Sequence, residues 1–145
     1  MLELAQSLTD EQLDQCFDIG HRTVRETVQH VIGNLEVWTD LMAARPVHRM
    51  PTDRQSIVEL RNRFETAFVD FAQVARQLRD AYRLNDIYVD VLDQPPQQKS
   101  YGGTILHVIT HDHMHRAEIL HMFQRLEIQG LIEGDVLSWE AALGK

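Results

Sequence analysis

A chain of 145 residues, 43% of them hydrophobic, has the size and composition of one globular domain with its own core. A net charge of −8 and a pI near 5.4 argue against a nucleic-acid backbone or an anionic membrane surface as partner, since either would require a basic face. The single cysteine, Cys16, excludes an intrachain disulfide; with no secretion signal at Met1-Leu2-Glu3-Leu4 and no apolar run near the roughly 18 residues of a membrane span, a cytoplasmic protein is expected.

Leu2, Leu4, Ala5 and Leu8 predict a short first helix, with the chain beginning almost inside it. Thr9 to Ile19 reads as a connector with one helical turn. Thr23-Val24-Arg25-Glu26 has the form of a capping box and should open a long helix. Val24, Val28, Val31, Leu35, Trp38 and Met42 form its apolar stripe, and Arg45-Pro46 closes it. Thr52-Asp53-Arg54-Gln55 reads as a second capping box. The helix after it turns Ile57, Leu60, Phe64, Ala67, Phe68, Phe71, Val74, Ala75 and Leu78 inward.

From Asn85 to Gly103 the helical period stops. Ile87-Tyr88-Val89-Asp90-Val91-Leu92 has strand character, and Gln94-Pro95-Pro96-Gln97-Gln98 forces a turn, so a small hairpin is expected. Tyr101-Gly102-Gly103-Thr104 leads into a histidine-rich helix that runs to about Arg125. The tail from Gly130 to Lys145 carries Trp139 and is expected to pack back on the helices. With no repeat and no long linker, residues 1–145 read as a single domain. Three long helices and a shorter first one define an all-α chain, a four-helix bundle with a short irregular or hairpin segment before the last helix. In such bundles, metal and cofactor sites are built from side chains on facing helices.

His107, His111 and His115 recur every four residues, which stacks three imidazoles along one side of a helix. Neutral imidazole suits zinc, nickel, copper and iron alike. His107 and His115 are about 12 Å apart along the axis, so one helix supplies two ligands and a third must come from elsewhere. His30 is the best placed, on a flank shared with Asn34, Val37 and Leu41. His21 precedes that helix and His48 follows it, neither on a rigid element.

At 100° per residue the histidine helix has an apolar arc of Ile105, Val108, Ile119, Met122, Phe123 and Leu126. His115 falls inside the arc, His111 at its edge with Glu118 beside it, and His107 just beyond. His113 and His121 point to solvent. On the wheel alone, the choice between His107 and His115 stays open. Asp112 also points into the arc, where a lone carboxylate is costly. Arg116, one turn later, has the reach to pair with it. The plain account of that pair is an ion bridge between helices; the functional one makes Asp112 the acceptor that orients a ligand imidazole. The plain account of the histidines, Trp38, Trp139 and the phenylalanines is core packing.

Two stretches together resemble the DinB/YfiT-like superfamily. Leu106-His107-Val108-Ile109-Thr110-His111-Asp112-His113-Met114-His115-Arg116-Ala117-Glu118-Ile119 is similar to its HxxxH-R-G-Q signature. The run from Thr23 to Trp38 resembles its second-helix motif, a histidine (here His30) followed two turns later by an aromatic. The resemblance spans about Leu4 to Leu126. It implies an up-down-down-up bundle, homodimers, and a divalent metal, most often zinc or nickel, held by His30, His111 and His115 with His107 adjacent but not ligating.

Relatives in that superfamily include transferases and isomerases that act with low-molecular-weight thiols, the metal activating the thiolate. The resemblance therefore implies a metal-dependent thiol S-transferase with a small-molecule substrate. Glu118 and Asp112 are then the candidate catalytic residues, and the segment from Asn85 to Gly103 borders the substrate mouth. The alternative is a non-catalytic, stress-associated metal-binding or interaction protein. A metalloprotease is disfavoured: His111-Asp112-His113-Met114-His115 imitates HExxH, but Asp is one methylene shorter than the Glu base and is expected to be occupied by Arg116. Two departures stand out. Ala117-Glu118 replaces Gly-Gln and brings a carboxylate near the site. The first helix is short, which implies either a start upstream of Met1 or a partner subunit over the gap.

Overall fold

The computed structural model describes residues 1–47, 51, 53–131 and 135–144, and for Trp139 and Ala142 the backbone alone. The described residues form six helices and one two-stranded sheet: α1 (Leu2–Ala5), α2 (Asp10–Leu13), α3 (Val24–Met42), α4 (Ile57–Asp80), β1 (Ile87–Asp90), β2 (Gln97–Ser100), α5 (Tyr101–Arg125) and α6 (Val136–Ala142). The expectations placed on His48, on Thr52 and on the packing of the Trp139 side chain lie outside the described residues.

Each long helix begins at a side-chain cap. The Thr23 hydroxyl accepts the Glu26 N–H at 3.0 Å and opens α3. α4 opens later than the Thr52–Gln55 motif suggests. Its cap is Ser56, whose hydroxyl accepts the Glu59 N–H while the Glu59 carboxylate accepts the Ser56 N–H at 2.7 Å. Ser56 offers this chemistry directly before Ile57, the first residue of the apolar period, so the helix has no reason to start sooner. Ser100 caps α5 by accepting the Gly103 N–H. The expected connector turn is α2, held by a reciprocal box between Thr9 and Gln12.

α3 is the central element and packs against both α4 and α5. Its Val24, Val28, Ile32 and Leu35 meet Leu60, Ala67, Phe71, Val74 and Leu78 of α4 and Val108, Ile119, Met122 and Phe123 of α5 in one core, with Ala5, Leu8, Leu13 and Phe17 beneath. Each large apolar side chain fully withdrawn from water contributes about 1.5–3 kcal/mol. One stripe assignment needs correction. Phe68 is 53% exposed, because the buried positions of α4 follow a narrower Leu60–Ala67–Phe71–Val74–Leu78 line that leaves it on the rim, stacked on Phe64.

The hairpin pairs antiparallel from Ile87↔Ser100 to Asp90↔Gln97. It is seated on α5 by the Tyr88–Tyr101 ring stack and by the Tyr88 hydroxyl, 2.8 Å from Thr104 Oγ1. Buried Arg25 locks the N-terminal segment to α3: it binds Asp10 and Asp14 and donates to the Gln55 carbonyl at 2.7 Å.

Candidate metal centre

α3 and α5 face each other so that His30 and the His111–His115 side of α5 meet. His111 Nε2 lies 3.4 Å from His30 Nε2 and 3.2 Å from His115 Nε2. The edge of a tetrahedron with metal–imidazole bonds near 2.0–2.1 Å is about 3.3–3.4 Å, so each of these two spacings has the length of one such edge. A second grouping overlaps the first: ligand atoms of His21, His30 and His115 lie within 4.8 Å of one another. The structure thus brings together His30, His111 and His115 and adds His21.

The donor set suits a cation. Burial, then the neighbouring His21, His115 and His111, push His30 down to about 4, so its ring is neutral at physiological pH. Burial and the imidazoles of His115, His107 and His21 also push His111 down. His115 is 5% exposed, and its Nδ1–H donates to Glu118 Oε2 at 2.6 Å, which fixes the tautomer and leaves the Nε2 lone pair facing the cluster. His111 Nε2 can donate to only one of its two Nε2 neighbours, so convergent lone pairs stay uncompensated without a shared cation. His111 Nδ1 is buried and has no hydrogen-bond partner among the described residues; Asp112 Oδ1 lies 3.6 Å away, beyond hydrogen-bond reach.

Asp112 differs from expectation. Among the described residues it receives a hydrogen bond from Asn34 Nδ2 on α3 at 3.3 Å, across the helix interface. Asn34 is oriented in turn because its Oδ1 accepts the Trp38 indole N–H at 2.8 Å. Burial raises the Asp112 carboxyl to about 6, against the Asn34 hydrogen bond and the charge of His115. Asp112 therefore sits on the Nδ1 side of His111, away from the convergent Nε2 atoms. Glu118 touches His115 Nδ1 and not the cluster itself.

His107 is exposed, edge-on to Trp38 with centroids 5.3 Å apart and equally far from His111. It lines an open cleft of about 310 Å³ with Trp38, Lys99 and Thr104. Gln98 and Ser100 of the hairpin also line it, so the segment between α4 and α5 lies beside His107. His113 and His121 are exposed.

His21 is the residue that sequence reasoning set aside for want of a helix. Its loop is nevertheless held firmly. Phe17 N–H donates to the Arg22 carbonyl at 2.7 Å and Arg22 N–H to the Ile19 carbonyl at 3.0 Å, with Phe17 buried beneath. Gly20, at φ +52°, lets this loop press against Glu118: a Cβ there would lie 2.3 Å from Glu118 Oε2. The sequence signal was Gly20-His21 just ahead of the Thr23 cap, a position that local periodicity does not rank.

Imidazoles drawn from two facing helices and the loop before them, one of them oriented by a carboxylate, form a cluster that could hold a metal ion. The family model of the DinB superfamily matches residues 1–119, which include His21, His30, His111 and His115, and the chain belongs to that superfamily. No curated protein matches it. No helix among the described residues is long and apolar enough to cross a membrane.

Proposed function

We propose that this protein binds one divalent metal ion, zinc or nickel, through His30, His111 and His115, and that it is a transferase working with a low-molecular-weight thiol on a small electrophile. The observation that carries the metal is the pair of Nε2 spacings, 3.4 and 3.2 Å, among three rings drawn from two helices. The thiol rests on membership of the superfamily. A four-helix bundle in up-down-down-up order, one domain over residues 1–145, a cytoplasmic location and a homodimer complete the reading. Phe68 and Ile109, 53% and 56% exposed beside the four-residue α1, support a second copy over the α4–α5 face.

A divalent ion on three neutral imidazoles supplies Lewis acidity that draws the pKa of a coordinated thiol toward neutrality. The protein's own groups do the rest. Glu118 holds the His115 proton on Nδ1. Trp38 and Asn34 hold Asp112 beside His111. His107, Trp38 and Lys99 form the cleft in which a small substrate is received.

The stress-associated, non-catalytic reading is favoured by one feature, the His21 ring stacked on His30 at 3.8 Å, which restricts access to the cluster. Metal analysis by mass spectrometry on tag-free protein tests the site. Near one metal per chain is expected for wild type and none for His111→Ala. A metal-free wild type after incubation with zinc or nickel would remove the basis for both readings. With metal in place, consumption of an electrophile by some thiol supports the transferase, and no turnover with any thiol leaves the binding protein.

A further inference from the structure

His30, His111 and His115 account for three positions of a tetrahedral ion and leave the fourth undefined. A fourth imidazole is already there. His21 has its ring 5.2 Å from that of His115, the same separation as His30 from His111. Two imidazoles on one tetrahedral ion hold their ring centres about 5.2 Å apart, given metal–nitrogen bonds of about 2.0–2.1 Å. His30–His115 and His111–His115 are closer, at 4.7 and 4.4 Å, and the contact of His21 with His30 departs furthest. Those two rings are stacked at 3.8 Å with planes 26° apart, closer than two ligands of one ion diverge. His21 thus needs a short swing off His30 to present a nitrogen to the cluster. The backbone on either side has positive φ, +52° at Gly20 and 73° at Arg22, and the loop's own hydrogen bonds hold it, so the swing is a rotation of the His21 side chain alone.

We propose that His21 is a fourth, displaceable ligand: it closes the position left open by His30, His111 and His115, and an incoming thiolate takes its place. This rests on the three-histidine metal reading above. Displacement forms a metal–sulfur bond and breaks the metal–nitrogen bond to His21. The thiol gives up its proton to solvent as it binds, so no other co-reactant is required. The consequence is selectivity. A weak oxygen ligand such as water competes poorly with a tethered imidazole, whereas a soft thiolate competes well.

The test uses the full chain and two readouts. In zinc-loaded wild type, ring-nitrogen NMR is expected to show four imidazoles shifted, His21 among them. Adding 2-mercaptoethanol should return His21 alone to its metal-free shift. Three shifted rings with His21 unmoved would overturn the proposal while sparing the three-histidine site; no shifted ring would remove the site itself, and the proposal with it. In the cobalt(II) form, His21→Ala is expected to bind azide about tenfold more tightly than wild type, with the wild-type visible spectrum restored by free imidazole. Equal azide affinity in a variant of wild-type helicity would count against the proposal. The NMR arm needs no variant, so a misfolded His21→Ala leaves the decision intact.

Discussion

At the scale of single residues, the site depends on which nitrogen carries a proton. Glu118 keeps it on His115 Nδ1, so Nε2 is the atom left to accept a metal. Glu118→Ala is expected to weaken zinc binding about 10- to 100-fold, read by competition with a chelating dye. Glu118→Gln keeps an acceptor for the same N–H and should lose less; equal losses would mean the carboxylate charge, not the hydrogen bond, matters. Asp14 supplies a pH prediction away from the site. Its hydrogen bond from Arg25, opposed by burial and aided by Arg54, holds its carboxyl below the ordinary 3.8. A depressed acid contributes stability that is present above its unfolded value and lost as pH falls through the folded one. The Asp14 carboxylate is 38% exposed and screened by water, so Asp14→Asn should cost about 0.5–1 kcal/mol at pH 7 by urea unfolding. The gap should narrow at pH below 3.8; a constant gap would exclude the ion pair as its source.

At the scale of elements, the loop before α3 and the middle of α5 act as a unit. Gly20 is the point of closest approach, with φ +52° and no room for a Cβ against Glu118. Gly20→Ala pays about 1 kcal/mol for the left-handed backbone. It also pushes the Glu118 carboxylate off His115, so metal affinity should fall as in Glu118→Ala. A variant that is less stable but binds metal as wild type does would show that Glu118 has another way to reach His115. The elements themselves were largely legible. Thr23 capped α3, though without the reciprocal half of the box, the hairpin formed between Ile87 and Ser100, and the histidine helix ran to Arg125, because caps, alternation and helical period are local signals. The α4 cap moved to Ser56 because Ser56–Glu59, which directly follows Thr52–Gln55, also has the capping form and adjoins the apolar run.

At the scale of the molecule, a metal held by His30, His111 and His115 would tie α3 to α5 across the core. Binding to the folded state alone adds about 2.7 kcal/mol at 100-fold excess over Kd. For a domain of 145 residues this corresponds to a rise in Tm on the order of 10 °C. Zinc should produce that rise in wild type, a chelator should reverse it, and His111→Ala should show none. A wild-type Tm indifferent to zinc and nickel would mean that the cluster holds neither.

The sequence by itself determined the helices, the hairpin and the stacking of His107, His111 and His115 on one side of α5, all of which follow from spacing along a short stretch of chain. The choice of His111 and His115 over His107 came from the family motif and not from the helical wheel. Tertiary structure alone decided what meets across the helices: His111 against His30, 81 positions apart, and Asp112 against Asn34, 78 apart. It also decided that His21 stacks on His30 and that Gly20 yields space to Glu118. A periodic pattern states which face a residue occupies, but not which residue of another element it faces. That is set by how α3 and α5 pack and by the path of one loop, neither of which leaves a repeat in the sequence.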